Sequence, residues 1–179
     1  DILMPCADIE RGFARWRRHP ERITGYYPRL LEGDPPSYQC TRCEKHTYEA
    51  ERYNVILTGA AFMDAPATFD AYWSDDMKEM RDLVDSMTNC EDLLMNYLVA
   101  HALGGAQHVE WVRPSARFDV GKLTSRRLSG GSAGAFGPQR HKCTEVFTER
   151  FGNPLAGKAY EMDWNGMGRP WCPWFGCVM

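Results

Sequence analysis

The sequence predicts one α/β domain, in which strands and helices form packed layers. Segments rich in β-branched and aromatic residues alternate along the chain with segments whose apolar residues recur at helical spacing. The chain has 179 residues, which suits one domain and is enough to bury a sizeable core. The predicted strands are too few to complete a sheet, so we expect part of an α/β layer.

Local patterns predict the elements of the first half. Ile9, Phe13 and Trp16 share one helical face after Asp8, which can cap the helix, and His19-Pro20 ends it. In chain order we predict a strand that includes residues 1–4, a helix over 8–18, a strand over 22–27, a turn-rich link over 31–36, a polar loop or edge hairpin over 40–51, and a strand over 53–62.

The second half is richer in helices. Met77, Met80, Val84 and Met87 mark an amphipathic helix whose methionines pack in the core. In chain order we predict a helix over 76–87, a mostly buried helix over 93–103, a short strand over 108–112, a flexible Ser/Gly-rich loop over 121–137, a helix over 140–151, and an aromatic tail punctuated by Gly and Pro.

Charge and hydropathy exclude several classes of protein. Lys and Arg number 21 against 24 Asp and Glu, a net charge of −3, so the basic surplus of a nucleic-acid-binding protein is missing. No apolar run approaches the roughly 20 residues that span a bilayer, and no signal peptide stands in the sequence. The chain starts with Asp1 inside a predicted strand and without an initiator Met, as a cut sequence does, so a targeting or membrane segment could have been lost upstream.

Seven cysteines are many for a chain of this length, and they favour an oxidising compartment or a metal site. Their odd number leaves at least one unpaired within the chain. Cys40 and Cys43 with His46, together with Cys172 and Cys177, raise the possibility of structural zinc. A local disulfide or free thiols fit the looser spacing of the second pair better.

The acid pair Glu91-Asp92 has two interpretations. With Thr88 or Asn89 as N-cap, both acids fall in a first helical turn, where the helix dipole favours negative charge. They can instead serve catalysis, and then helical geometry selects one of them, because adjacent residues do not share a face. The pattern alone favours capping.

Several segments, in order over residues 1–155, resemble the exostosin-like glycosyltransferases of family 64. They are Asp1-Ile2-Leu3-Met4-Pro5-Cys6 with Asp8-Ile9-Glu10, Trp16, Pro20-Glu21-Arg22-Ile23, Gly25-Tyr26-Tyr27-Pro28-Arg29, Tyr53 to Phe62, Thr88 to Asn96, Gln139-Arg140 with Cys143, and Gly152-Asn153-Pro154-Leu155. The Thr88 to Asn96 segment is the most specific. The resemblance divides the chain into a partial transferase domain at 1–155 and an aromatic, Cys-rich tail at 156–179.

The resemblance implies a GT-A-like nucleotide-diphospho-sugar transferase fold, with the N-terminal nucleotide-binding half largely missing from this chain. It implies Mn²⁺ as cofactor, UDP-N-acetylhexosamine as donor, and transfer with retention to a glycan or glycolipid acceptor. The full-length protein would be membrane-anchored, with its catalytic part in the lumen of the Golgi or endoplasmic reticulum. Nucleic acid is not an expected partner.

The resemblance also assigns roles to individual residues. Asp92 would be the catalytic carboxylate and Arg140 the cation on the diphosphate, while Asp1 would be the last metal-binding aspartate. Cys90 and Cys143 would form a disulfide. The substrate-binding positions would be Gly59, Ala60, Asn89 and Glu91, of which Gly59 lets backbone approach a ligand closely.

The chain departs from the family pattern before the Gln139-Arg140 pair. Bulky aromatic and basic residues are frequent there, whereas this chain has Gly130-Gly131-Ser132-Ala133-Gly134-Ala135. Because of this departure, the sequence does not determine the acceptor site. The departure also motivates a second interpretation, a non-catalytic carbohydrate- or partner-binding remnant. A zinc-stabilised binding module is a third. The pairing of Cys6, Cys40, Cys43, Cys172 and Cys177 is not determined by the sequence.

Overall fold

The computed structural model describes residues 2–38, 43–119 and 136–164. In these ranges the α-helices are α1 (Cys6–Trp16), α2 (Cys43–Ala50), α3 (Ala71–Trp73), α4 (Lys78–Met87), α5 (Glu91–Ala102) and α6 (Phe136–Phe151). The strands are β1 (Ile2–Leu3), β2 (Ile23–Gly25), β3 (Pro28–Arg29), β4 (Arg52–Tyr53), β5 (Val55–Ile56), β6 (Ala61–Phe62), β7 (Val109–Trp111), β8 (Phe118–Asp119) and β9 (Tyr160–Glu161). The mixture of helices and short strands confirms the predicted α/β class.

Strand β2 is the centre of a three-stranded mixed sheet. It pairs with β7 in parallel, with Thr24 opposite Glu110, and with β6 in the antiparallel direction, with Thr24 opposite Phe62. The other strands form antiparallel pairs, β1 with β8, β3 with β5 and β4 with β9. The predicted strands over 1–4, 22–27 and 108–112 therefore exist, each a little shorter than expected.

Helix α5 runs through the core and is buried from Asp92 to Ala100. It is apolar on nearly all sides, as expected for a central helix. Asn96 fixes it to β5, because its side chain donates to the carbonyl oxygen of Ile56 at 2.8 Å and accepts from the backbone N–H of Ile56 at 3.0 Å. This amide contact sets the position of the helix relative to the strand.

The prediction of one strand over 53–62 is wrong. The segment has three partners in turn and so changes partner twice: Tyr53 pairs with Tyr160, Val55 with Arg29, and Ala61 with Gly25. Between β5 and β6 the chain makes a 3-10 turn over Thr58–Ala60. Each partner change interrupts the ladder, although the apolar pattern of the segment is continuous.

The prediction of a loop or hairpin over 40–51 is also wrong, since 43–50 form α2. Tertiary contacts explain the helix: Thr47 and Tyr48 are buried, and the Thr47 hydroxyl accepts from the N–H of Leu30 at 3.0 Å while donating to the carbonyl oxygen of Cys43 at 2.7 Å. A polar sequence with two buried residues is helical here because of what it packs against.

The starts of α1 and α5 differ from the predictions. Helix α1 follows Pro5, and Asp8 lies inside its first turn, where the carboxylate bonds to Ser115 and Ala116 instead of capping. Cys90 is the N-cap residue of α5, and its side chain makes no capping bond, so neither Thr88 nor Asn89 is the cap.

Helix α6 begins at Phe136 instead of residue 140, so residues 136–137 do not belong to the predicted loop; most of that loop lies outside the described residues. The predicted helix over 76–87 is confirmed as α4, with a 3-10 turn over Asp75–Met77 before it. A π-helix over Pro66–Asp70 that continues into α3 was not predicted. In the described ranges no helix has both the length and the apolar composition needed to cross a bilayer.

Candidate active site

The candidate site lies where α4, α5 and α6 meet. The link from α4 to α5 is sharp, because Thr88 and Cys90 both adopt left-handed backbone conformations, with φ of 50° and 81°. Glu91 and Asp92 then form the first turn of α5. Glu91 is exposed and Asp92 is buried, so only one of the two acids faces the interior, as the helical geometry predicts.

Arg140 from α6 pairs with Asp92. Its Nη2 donates to Oδ2 of Asp92 at 2.9 Å, and the two side chains are only 15% and 5% exposed. The Nε of Arg140 donates to the side-chain oxygen of Asn89 at 3.0 Å, and that oxygen also accepts from the N–H of Cys90 at 2.8 Å. The sequence-predicted pair and its neighbour Asn89 are thus one hydrogen-bonded group.

The ring of Tyr38 packs against the guanidinium of Arg140, with 4.7 Å from Cζ to the ring centre. Burial alone would lower the pKa of Arg140, but the charge of Asp92, then Tyr38 and the hydrogen bond to Asp92, raise it above its ordinary value. Arg140 is therefore held as a cation beneath the surface. No sequence pattern links Tyr38 to this group, because it is remote from Arg140 along the chain.

A disulfide fastens the helices that carry the pair. Cys90 and Cys143 are bonded, as predicted, with their Cα atoms 6.4 Å apart. Cys90 precedes α5 directly and Cys143 stands three residues after Arg140, so the covalent link lies beside the ion pair. It limits the distance by which Asp92 and Arg140 can separate.

Two donors in this group have no hydrogen-bond partner. Nη1 of Arg140 and Nδ2 of Asn89 are both buried, and neither donates to any atom in the described part of the chain. Buried N–H groups are nearly always paired in folded proteins, so unpaired ones require an explanation. Both belong to residues already bonded to each other, and together they offer a pair of donors to an oxygen-rich ligand.

Gly59 and Ala60 lie in the 3-10 turn after β5, and that turn contacts α5. A Cβ added to Gly59 would meet only Cδ1 of Ile2, at 3.7 Å, so the fold does not require glycine there. Gly25 differs: a Cβ would lie 2.6 Å from Cγ2 of Ile56 and 2.8 Å from the Ala60 carbonyl oxygen. The turn is thus held closely against β2, while Gly59 presents bare, exposed backbone.

The predicted metal ligand and the remaining cysteines do not form a site among the described residues. Asp1 lies outside the described residues, and among those described no three His, Cys, Asp or Glu side chains are grouped to hold a metal ion. Cys43 is disulfide-bonded, a state that excludes it as a thiolate ligand of zinc, and Cys6 is a free, exposed thiol. Cys40, Cys172 and Cys177 lie outside the described ranges.

Comparisons with known proteins show the family of the chain. The model of the glycosyl transferase family 64 domain matches residues 1–167, and the chain belongs to this family. It is 46% identical over 158 residues to glucosamine inositolphosphorylceramide transferase 1 of Oryza sativa subsp. indica, covering 88% of this chain and 20% of the relative.

Two further relatives extend the comparison. The protein of the same name from Arabidopsis thaliana is 44% identical over 154 residues, covering 86% of this chain and 20% of the relative. Human exostosin-2 is 33% identical over 158 residues, covering 85% and 20%. The chain thus spans a fifth of the length of these relatives.

Proposed function

We propose that the protein is a retaining glycosyltransferase of the GT-A fold, which moves an N-acetylhexosamine from a UDP-sugar to an acceptor. The observation that carries the proposal is the pair of buried, unpartnered donors, Nη1 of Arg140 and Nδ2 of Asn89, beside the Asp92 carboxylate. A sugar-diphosphate substrate requires N–H groups that bind its phosphate oxygens and, beside them, a carboxylate that stabilises the cationic sugar.

Arg140 would hold the diphosphate without leaving Asp92. Its Nη2 and Nε are engaged by Asp92 and Asn89, whereas Nη1 remains available to a phosphate oxygen. A guanidinium fixed on two sides loses little freedom when it binds a third group, so its contact with the diphosphate is preorganised.

Asp92 would stabilise the positive charge that develops on the sugar as the glycosidic bond breaks. A carboxylate fixed in a largely dry position interacts strongly with a nearby developing charge, because little water screens it. Glu91, exposed on the adjacent helical position, would contact the substrate from the surface side, as would Gly59 and Ala60.

The names of the relatives support a hexosamine donor and a glycolipid acceptor. Two plant relatives are named as glucosamine inositolphosphorylceramide transferases, and they are more similar to this chain than human exostosin-2 is. We therefore favour a glycosylated lipid over a glycan polymer as acceptor.

The cofactor and the cellular site rest on family resemblance. We propose Mn²⁺, with Asp1 as one ligand, and a divalent cation would supply charge neutralisation of the leaving diphosphate. We further propose a catalytic part in the Golgi or endoplasmic reticulum lumen, anchored by a membrane segment upstream of this chain.

One observation favours the alternative of a non-catalytic binding remnant. Both carboxylate oxygens of Asp92 are bonded inside the protein, Oδ2 to Arg140 and Oδ1 to the N–H of Leu93 at 2.8 Å. For an acid bonded in this way, a purely structural role, joining α5 to α6, is sufficient. Whether UDP-sugar binding depends on Arg140 distinguishes the transferase from the binding remnant.

Calorimetric titration of the full-length protein with UDP and Mn²⁺ tests the proposal. We expect Arg140→Lys to weaken UDP binding by roughly tenfold, about 1.4 kcal/mol, because lysine cannot bond Asp92, Asn89 and phosphate at once. Arg150→Lys, an exposed arginine of the same helix that pairs with Asp76, is the matched control. Absence of UDP binding, or equal binding by both variants, would favour the remnant.

A further inference from the structure

Arg113, which stands two residues after β7 ends, has a buried guanidinium without a counter-ion in the described part of the chain. The residue is only 7% exposed, and its Nε and Nη1 atoms are buried without a hydrogen-bond partner. Its Cζ lies 5.9 Å from the centre of the Trp164 ring. An aromatic ring offsets part of the charge but gives these N–H groups no lone pair to bond.

A second buried donor near Arg113 also has no acceptor partner. Trp111, whose ring centre is 5.2 Å from that of Trp164, has a buried Nε1 that donates to no described residue. The orphaned polar atoms of Arg113 and Trp111 are thus all donors. Donors left over without acceptors are complementary to a ligand that brings oxygen atoms.

The local charge is positive. Burial raises the pKa of Tyr48, although the nearby charges of Arg29 and Arg113 act to lower it, so this phenol is neutral and supplies no counter-charge. Arg117 is also close and donates to Tyr48, and Glu44, the described acid at this position, forms its ion pair with Arg117. Arg29 and Arg113 therefore share no carboxylate within the described ranges.

We propose that Arg113, with Trp111 Nε1 beside it, forms an oxyanion-binding site for a small polyol or sugar that carries a carboxylate or a phosphate. The planar guanidinium fork matches either group through two parallel hydrogen bonds. The partly buried Trp164 ring lies beside the guanidinium and adds apolar surface for the carbon skeleton of the ligand. The site stands on the contacts of Arg113 and does not depend on the transferase function.

The desolvation of Arg113 supports a ligand. A buried charge is costly unless it is paired, and burial lowers the pKa of Arg113 below its ordinary value, with only the smaller influence of Tyr48 acting in the opposite direction. A bound oxyanion would remove both the unpaired charge and the unpaired donors.

Calorimetry with matched probes tests the site and distinguishes the two anions. The charged probes are inositol 1-phosphate and galacturonate, and their neutral counterparts are myo-inositol and galactose. We expect at least one charged probe to bind about tenfold or more tightly than its neutral counterpart, and the one that does identifies phosphate or carboxylate as the group recognised.

Variants assign the preference to Arg113. Arg113→Gln should abolish it and Arg113→Lys should reduce it, while Arg18→Gln, which removes an exposed charge, should leave it unchanged. Unfolding midpoints are measured for each variant. If Arg113→Gln does not fold, the reduced preference of Arg113→Lys for the charged probe tests the site. Equal binding of charged and neutral probes would overturn the site, as would a preference that persists unchanged without the Arg113 guanidinium.

Discussion

Two buried aspartates, Asp8 in α1 and Asp92 in α5, stand in contrasting surroundings. Asp8 is 1% exposed and its carboxylate accepts from Arg11, from the N–H and hydroxyl of Ser115, and from the N–H of Ala116. Asp92 accepts one bond from Arg140 and one from the N–H of Leu93. The first carboxylate is saturated by protein donors, whereas the second is not.

The donors around the two acids differ in number: beside Asp8 one buried donor, Nε of Arg11, has no partner among the described residues, and beside Asp92 there are two. Arg11, which bonds Asp8, also donates to the carbonyl oxygen of Arg113, so its contacts tie α1 to the chain after β7. Arg140, which bonds Asp92, retains an unpaired Nη1 next to the unpaired Nδ2 of Asn89. The Asp8 carboxylate is the more completely bonded of the two acids and stabilises the fold, and the Asp92 group leaves more donors for a ligand.

The largest stability effect belongs to the Asp92 region, through its disulfide. Cys90→Ser with Cys143→Ser opens a loop defined by a sequence separation of 53. Loop-closure entropy predicts a loss of about 4 kcal/mol in the free energy of unfolding. Urea denaturation of the double variant measures it, and Cys6→Ser, at a free, exposed thiol, is the control. A loss equal to that of the control would mean that the bridge does not constrain the unfolded chain.

The Asp8 network predicts a smaller loss that depends on pH. Burial acts to raise the pKa of Asp8, but the bonds from Ser115, Ala116 and Arg11 together hold it below its ordinary value of 3.8. A lowered folded-state pKa stabilises the protein above the unfolded value, and this stabilisation is lost as the pH falls through the folded value.

Asp8→Asn should therefore cost about 3 kcal/mol of unfolding free energy near neutral pH. The difference from the wild type should stay constant down to about pH 5 and narrow below 3.8, as the wild-type carboxylate becomes protonated. Chemical denaturation at a series of pH values measures it. A difference that is independent of pH would contradict the charged network.

The smallest expected effect is at Gly59. If Gly59 contacts the sugar donor as proposed, Gly59→Ala should raise the KM for that donor roughly fivefold, about 1 kcal/mol, because the added methyl group would occupy part of the proposed binding space. The unfolding midpoint should not change, since the added Cβ meets only Ile2. Gly25→Ala, where the Cβ would contact Ile56 and Ala60, should instead lower the midpoint. A lower midpoint for Gly59→Ala would give the glycine a structural role.

The sequence predicted the Cys90–Cys143 bridge and the proximity of Asp92 to Arg140, but not the arrangement around them. Asp92, Arg140, Cys90 and Cys143 were singled out because they stand in two segments that resemble the family, and the catalytic roles of Asp92 and Arg140 stay predictions. Tyr38 escaped notice because its contact with Arg140 joins positions far apart in the chain. Periodicity carries no information on such contacts.

The fold was predicted to a similar degree. Helices with a clear apolar face were found, but α2 was missed because its position depends on the tertiary contacts of its two buried residues, Thr47 and Tyr48, with parts of the chain outside the helix. The strand over 53–62 was predicted as continuous because a run of apolar residues indicates burial and does not identify the pairing partner. Asn54 shows what the pattern hides, since its side chain bonds both backbone groups of Leu31 and lies where the partner changes.

Transfer activity per folded molecule of Asp92→Asn, compared with Asp8→Asn, tests the contrast between the two aspartates most directly. Each variant replaces a buried carboxylate by an amide of the same size, so both lose stability, and the folded fraction is measured alongside UDP release from a UDP-hexosamine. We predict that Asp92→Asn lowers turnover by roughly 10²–10³-fold, as when a transition-state charge contact is removed, and that Asp8→Asn leaves it within about twofold of the wild type. Equal turnover by the two variants would contradict the assignment of Asp92 as the catalytic carboxylate.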